Sequence, residues 1–576
     1  MKEDQRAGRL FLKVTFAIIG LLCLASTGAP PLPTIPNATF TITAYGAVGD
    51  GVTDNTADIQ ATIDAANKAG GGTVIFPPAS NPYECGPITL YGNINYQIDS
   101  GATLQCILYS KYPLSSGSSA YANFISAANA NDIEISGKGT IDGQGTDWWA
   151  EYNKNSSMPH RPYLIKLDNC NTIYVHDVTL SNSPMFHLVI IGSEVTVDGI
   201  TITSPSTAPN TDGIDPAGTN YLIENCFIAN GDDNIALKPG NAACKDFTIT
   251  NCTFGTGHGL SIGGQTNYGL DSLTVSHCVF KGTTNGIRLK ANRTNGGLVQ
   301  NLLYSDITMD SVEYPVFITS YYEETFSTTD TAQAVTSTTP IWKNITIRNF
   351  VSTNSTKDAI TIQGLPEMPV QDITFAYAAF SGSKKDNFSI AHAHGVNFFN
   401  TTYNGVDTGL TTSPLDATIS QLTITTQPQS QKVALGSTLK LSVAATADFT
   451  PVYQWFYDNT PLVNNSAASG VKTAALTLTN FQAAQAGSYT VSLGDSAGDI
   501  LSDSAIVVMN GTSAVILKTP AQQSRSLLTP NNQSTEYIDL AGHVIRGKNA
   551  AGTLGNNFYL IRDMSGKWAP YIHTGN

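Results

Sequence analysis

Apolar residues recur through the middle of the chain at steps 0, 2, 5 and 7 of a repeat. The template fits Ile173-Val175-Val178-Leu180, Val195-Val197-Ile200-Ile202, Tyr221-Ile223-Cys226-Ile228 and Phe247-Ile249-Cys252-Phe254. It continues through Leu273-Val275-Cys278-Phe280, Leu302-Tyr304-Ile307-Met309, Ile345-Ile347-Phe350 and Ile373-Phe375-Ala378-Phe380. Successive starts are 22, 26, 26, 26, 29, 43 and 28 residues apart. Alternation with period two predicts strands, and a period in the twenties predicts a solenoid. The Leu/Asn consensus and helical half of leucine-rich repeats are missing. Polar Asn, Asp, Ser and Gly break each strand pair instead. The pattern predicts an all-β parallel β-helix, each strand pairing with its counterpart about 4.8 Å away on the next coil.

Outside the repeat the pattern changes. Residues 40–80 read as an entry segment with a short amphipathic helix presenting Ile59, Ile63 and Ala66, closed by Gly70-Gly71-Gly72. A solenoid exposes an apolar end that needs a cap, and this helix is the candidate. The glycine run lacks the Gly-Lys-Ser/Thr of a phosphate loop, so it reads as a turn. The helical domain is expected over residues 38–403, with long insertions at 107–125 and 310–344, and residues 404–420 read as a linker. Residues 421–509 carry short alternating strands around Trp455 and a late Gly487-Ser488-Tyr489-Thr490-Val491. They resemble a bacterial immunoglobulin-like domain. Val443 and Val491 stand where that family often has its disulfide, so packing alone must hold the sandwich, and a spacer role is expected. Residues 528–576 read as a β-rich tail that resembles sorting domains used in outer-membrane export.

Composition narrows the setting. The chain has 576 residues, 13% charged, with a net charge of −14. That balance argues against nucleic acid as a partner, and an acidic ligand must be held by local cations. Lys2, Arg6, Arg9 and Lys13 precede the apolar run Val14 to Ala25, so residues 1–29 are expected to be a signal peptide. A membrane anchor is the alternative, although the run is short for a span. The mature chain is therefore expected to be secreted, with no membrane span. Seven cysteines follow the signal, an odd number that precludes complete intramolecular pairing. Cys226, Cys252 and Cys278 share step 5 and read as a buried ladder. No zinc spacing is present, and no metal or cofactor is expected.

Four polar motifs fall on successive coils: Asn210-Thr211-Asp212, Gly231-Asp232-Asp233, Gly257-His258-Gly259 and Arg288-Leu289-Lys290. Counted from each start, Asp232 and His258 both lie at step 11, Asp233 at step 12, and Asp212 and Lys290 at step 17. Equal steps stack along the axis, so Asp232 and His258 should lie about one strand spacing apart and Lys290 roughly three from Asp212. Glycosidic hydrolysis needs a proton donor for the leaving oxygen and a second carboxylate on the far side of the ring. Crowded carboxylates repel, so one retains its proton while others stay ionised. Arg288 and Lys290 would hold an acidic sugar.

These motifs, in this order and spacing, resemble the signature of glycoside hydrolase family 28, the polygalacturonases. The resemblance spans roughly residues 38–403. It implies a right-handed parallel β-helix of the pectin-lyase-like type and inverting cleavage of α-1,4-galacturonosyl linkages in pectic polysaccharide, by a monomer. It implies Asp232 as general acid, Asp212 and Asp233 as activators of water, and His258 as tuner of Asp232. Asn210, Arg288, Lys290 and Tyr322 would bind substrate, with Tyr321 the rival of Tyr322. The family commonly bridges a Cys after the paired aspartates to one four residues before the His. Asn234 and Phe254 stand there, which predicts a less rigid Asp232–His258 turn.

Other readings stay open. Rhamnogalacturonan or substituted galacturonan is a rival substrate, and a non-catalytic β-helical carbohydrate-binding surface protein a rival class. A pectate lyase would need calcium and an Arg base. The two insertions could close one end of a groove, which leans the expectation toward exo attack.

Overall fold

The computed structural model describes residues 29–115, 119–382, 388–407, 415–447, 451–458, 460–495 and 498–509, together with four strands beyond residue 535. Nearly all of the expected signal peptide, residues 1–28, lies outside the described residues, as does most of the expected tail.

From Thr39 to Ile419 the chain winds as a parallel β-helix. One column of paired residues runs Gly72, Ile94, Ile133, Ile173, Val195, Tyr221, Phe247, Leu273, Leu302, Ile345, Ile373 and Val396. All eight repeat starts read from the sequence lie in this column. A left-handed residue explains why the template skips from step 2 to step 5. Step 4 has φ between 49° and 65° in every one of those coils, at Asp177, Gly199, Asn225, Asn251, His277, Asp306, Asn349 and Tyr377. That corner breaks the alternation by one residue and starts the next sheet. Asn and Asp tolerate it because a short polar side chain can bond locally. Across neighbouring corners Asn349 donates to Asp306 Oδ1 at 3.1 Å.

The apolar steps fill the interior. Val175, Val178, Leu180, Ile223 and Ile249 have no exposed surface. Aromatic rungs stack as well, with Tyr221 lying 4.5 Å from Phe247 at 7° between planes. The seven described cysteines are all unpaired and buried. Helix α1 (Thr56–Lys68) covers the N-terminal end with Ile59, Ile63 and Ala66. Gly71 and Gly72, at φ 121° and 140°, turn the chain from α1 into strand Gly72–Phe76. At the other end, strand Leu415–Thr426 pairs in parallel with Phe388–Phe399. The ladder thus reaches past residue 403 into the end of the segment read as a linker, because Ile419 takes the register position after Val396.

The immunoglobulin-like unit has one sheet built on Val452–Tyr457, Gly487–Asp495 and Ala505–Met509, and another on Leu439–Ser442, Ala475–Leu478 and Ala468–Ser469. Trp455, Leu476 and Val491 are fully buried between them. Tyr489 donates to Gln485 O at 2.7 Å, the corner bond expected of this sandwich. Trp455→Ala should destabilise this unit by about 3–5 kcal/mol. Its thermal transition should fall in calorimetry while that of the β-helix stays put. The four tail strands form one antiparallel sheet.

Candidate active site

A third column, Ile165, Leu188, Ile214, Ile235, Leu260, Ile287 and Val316, forms the sheet beneath a long groove. The four polar motifs lie just ahead of these strands or within them. Ile214 follows Val195 by 19 positions, whereas Ile235 follows Tyr221 by 14. The longer turn carries Asp212 away from the Lys290 column and beside Asp233, where Gly213 N–H donates to Asp233 O at 2.9 Å. Step counting placed Asp212 wrongly because it assumed turns of equal length.

Asp212, Asp232, Asp233 and His258 come together. His258 Nδ1 donates to Asp232 Oδ1 at 3.1 Å, and His258 N–H donates to Asp232 O at 2.7 Å. Asp233 is 1% exposed and surrounded by donors: Ser261 Oγ at 2.7 Å, Arg288 Nη1 at 3.1 Å and Lys290 Nζ at 2.8 Å. Asp212, 3% exposed, accepts from Lys238 Nζ at 3.0 Å. The Asp232 side chain keeps 19% of its surface and that of His258 34%. Asp232 is thus the most open of these three carboxylates.

Asn210 is held by Arg161, whose Nη2 donates to its Oδ1 at 2.7 Å, and it offers its own amide to Asp232 Oδ2 at 3.4 Å. Arg161 is itself buried and lies 4.0 Å above the Tyr152 ring. Lys290, expected to face a ligand, gives one of its three donors to Asp233. Arg288 shares Asp233 yet leaves its buried Nε without a partner. Tyr322 lies over both cations, 4.9 Å from Lys290 Nζ and 5.8 Å from Arg288 Cζ. Gly264 permits that approach, since a Cβ there would meet the tyrosine ring at 2.4 Å. Tyr321 turns inward and donates to Asp330 Oδ2 at 2.8 Å.

Electrostatics separate the carboxylates. Burial pushes Asp212 up to about 6, against the pull of Lys238 and with the repulsion of Asp232 and Asp233. Burial also works to raise Asp233, but the charges of Lys290, Arg288 and Lys238 outweigh it and hold the group far below the usual range. Asp232 feels burial too, yet the His258 hydrogen bond prevails and it lies below its ordinary value. In the free protein the carboxyl that keeps its proton longest among the three is therefore Asp212.

Hydrogen bonds from asparagine stand where the two cysteines are absent. Asn234 donates to Ile228 O at 3.1 Å and Thr256 O at 2.9 Å, and accepts from Gly259 N–H at 2.8 Å. Asn230 donates to Thr211 O at 2.8 Å and Asp233 O at 2.9 Å. One buried amide carries two donors and an acceptor, so two asparagines cross-link the three motif turns. Sequence reasoning also missed Lys238, Asp215, Ser261 and Arg161. Lys238 had a visible signal, since it too lies at step 17, in its own coil.

The ligand-capable atoms of Asp232, Asp233 and His258 lie within 4.8 Å of one another, the one such grouping among the described residues. It does not suit a metal, because both Asp233 oxygens already face Arg288 and Lys290. The adjoining groove, about 510 Å³, is lined by His160, Tyr163 and Phe186 on one side, Tyr322 and Asn292 on the other, and Asp215 and Lys238 below.

Comparison with known proteins identifies the family. Residues 75–400 match the model of glycosyl hydrolases family 28, and residues 423–493 that of an immunoglobulin domain. An endo-polygalacturonase of Pectobacterium carotovorum subsp. carotovorum is 32% identical, over 63% of this chain and 92% of its own length. An exopolygalacturonase of Platanus acerifolia is 31% identical, over 60% of this chain and 91% of its own. The fold resembles the crystal structure of a hyperthermoactive exopolygalacturonase from Thermotoga maritima, with a TM-score of 0.57 and 23% identity, over 66% of this chain and 94% of that one. The chain belongs to glycosyl hydrolases family 28, with an immunoglobulin-like domain appended.

Proposed function

We propose that this hydrolase is a secreted, monomeric enzyme that cleaves α-1,4-galacturonosyl linkages of de-esterified pectin with inversion, from chain ends. The observation that carries the reading is one partly open carboxylate, bonded to an imidazole, beside two buried carboxylates and an arginine whose side chain keeps 17% of its surface. Asp232 donates its proton to the glycosidic oxygen. It is ionised beside His258 in the free protein, and a bound polyanion raises its affinity for a proton, which it takes up from solvent before cleavage. Asp212, the more basic of the buried pair, accepts the proton of the attacking water. Asp233, fixed by three donors, stays an anion that orients that water. Arg288, with Tyr322 beside it, holds a uronate carboxylate. Inverting enzymes place acid and base about 6.5–9.5 Å apart to admit the water.

Two features support attack at chain ends. Insertion 107–125 folds Tyr109, Tyr112 and Tyr121 edge-on around Trp148, with ring centroids 4.7–5.3 Å away. It also hydrogen-bonds His160 at the groove wall, Tyr121 N–H to His160 O at 2.9 Å. Insertion 310–344 is tied down where Asp330 meets Arg293 and Tyr321. The basic N-terminal residues ahead of an apolar run support export, and the immunoglobulin-like domain serves as a spacer.

Proton NMR of early product should show the β-anomer from an α-linked chain, and sizing should show monomer or one short oligomer from the first minutes. Long oligomers appearing early would reject exo attack. Cleavage of branched pectin with polygalacturonate left intact would favour rhamnogalacturonan as substrate. An unsaturated product that needs calcium would make the enzyme a lyase.

A further inference from the structure

The groove floor holds more buried charge than the scheme above uses. Asp215 is 1% exposed, and neither of its carboxylate oxygens has a hydrogen-bond partner. Lys238 Nζ lies 3.4 Å from Asp215 Oδ2 and 3.0 Å from Asp212 Oδ2. The same ammonium lies 4.9 Å from the centroid of the Phe186 ring, which covers it from the groove side. One cation therefore serves two buried carboxyls.

Two anions and one cation in a poorly solvated floor carry an uncompensated charge, and retaining one proton removes it. The hydrogen bond decides where that proton sits, because a bond donated to a carboxylate favours its ionised form. Lys238 forms the closer bond with Asp212, at 3.0 Å, and only a longer contact with Asp215, at 3.4 Å. The directions agree: burial drives Asp215 well above its ordinary range, while Lys238 pulls against the rise of Asp212.

We propose that Lys238 is a positioning residue of the reaction: by bonding Asp212 it leaves the retained proton on Asp215 and keeps Asp212 a carboxylate able to accept a proton from water. This rests on reading Asp212 as the base. Every other group facing Asp212 fits the assignment. Asp215 lies on the strand that follows it, Ile214–Glu224, and Asp232 and Asp233 come from the next coil's turn and repel its charge. Tyr163, from strand Ile165–His176's approach, is an un-ionised phenol raised by burial. His187 donates only to the Asp212 backbone carbonyl at 3.1 Å, and burial lowers it to about 4, so it adds no charge at working pH. Arg288 and Lys290 bond Asp233 instead. The register explains the arrangement. Leu237 pairs with Ile262, and Gly263 pairs with Lys290. Lys238 and Lys290 thus stand two rungs apart in one column, each neutralising a different carboxylate.

The test compares Lys238→Met, Lys238→Arg and Asp215→Asn in the full chain, with circular dichroism and melting to confirm folding. In Lys238→Met the acid limb of the kcat profile on polygalacturonate should move up by about one pH unit or more, a tenfold loss at a fixed acidic pH, with a smaller change in KM. Lys238→Arg should return the limb toward the wild-type position. Asp215→Asn, an amide in place of a neutral carboxyl, should leave the limb where it is. An unmoved limb in folded Lys238→Met would overturn the proposal, as would an Asp215→Asn shift of equal size. Carbon-13 titration of aspartate carboxyls, with Asp212→Asn for assignment, reads the same shift without turnover. If polygalacturonate were not cleaved at all the functional reading would fail, while the Asp212 titration would still decide this one.

Discussion

Asp232→Asn should lower kcat on polygalacturonate by roughly 10²–10⁴-fold, the usual worth of a positioned general acid, while the protein stays folded. The amide keeps the shape of the carboxyl and one acceptor oxygen. That oxygen can still receive Asp233 N–H, now at 2.9 Å, and His258 Nδ1 at 3.1 Å. The other side of the group meets Asn210 at only 3.4 Å, a weak bond whose loss costs little. What the variant lacks is a transferable proton at the edge of the groove, since Asp212 and Asp233 are buried behind it. KM should change much less than kcat. The check is reducing-end release at several substrate concentrations alongside a melting curve. A folded variant that releases reducing ends at the wild-type rate would move the acid role elsewhere.

The contrast between what the chain reveals linearly and what it hides has a physical basis. The solenoid is legible because each coil repeats the same burial pattern, and a single left-handed corner at step 4 offsets it by one residue in every coil. Positions inside strands inherit that regularity, so the repeat starts and the cysteine ladder could be counted. Turn positions do not. Five extra residues in the turn before Asp212 shift it from one column to another, and nothing local in Pro205 to Asn210 states how the extra chain is stored. Lys238 shares step 17 with Lys290, yet only the fold brings it within reach of Asp212 and Asp215. Asn234 reads as a lost cysteine, because an amide that ties its own turn to the next leaves no linear trace. Tyr321 and Tyr322 differ by one position, and only the fold shows that the first turns toward Asp330 and the second over Lys290.

Within the β-helix a large loss of stability should come from Lys290→Met. Lys290 and Asp233 are 4% and 1% exposed, and they meet at 2.8 Å. Removing one partner of a buried pair leaves the other charged and unsolvated, at a cost of about 3–5 kcal/mol. Arg288 and Ser261 remain to bond Asp233, so the lower part of that range is expected. The pH dependence has a definite sign. Asp233 lies far below its ordinary value when folded, because Lys290, Arg288 and Lys238 outweigh the effect of burial. Such a group stabilises the fold fully above the unfolded carboxylate value near 3.8, and that contribution fades as pH falls toward the folded value. The gap between wild type and Lys290→Met should therefore be constant from pH 7 to about 5 and shrink in stronger acid. Adding Asp233→Asn to Lys290→Met should recover part of the loss, since neither half of the pair is then left charged alone. Urea unfolding at a series of pH values would show all three effects. A single variant as stable as wild type at pH 7 would mean that Arg288 alone suffices for Asp233, leaving Lys290 free to face the substrate.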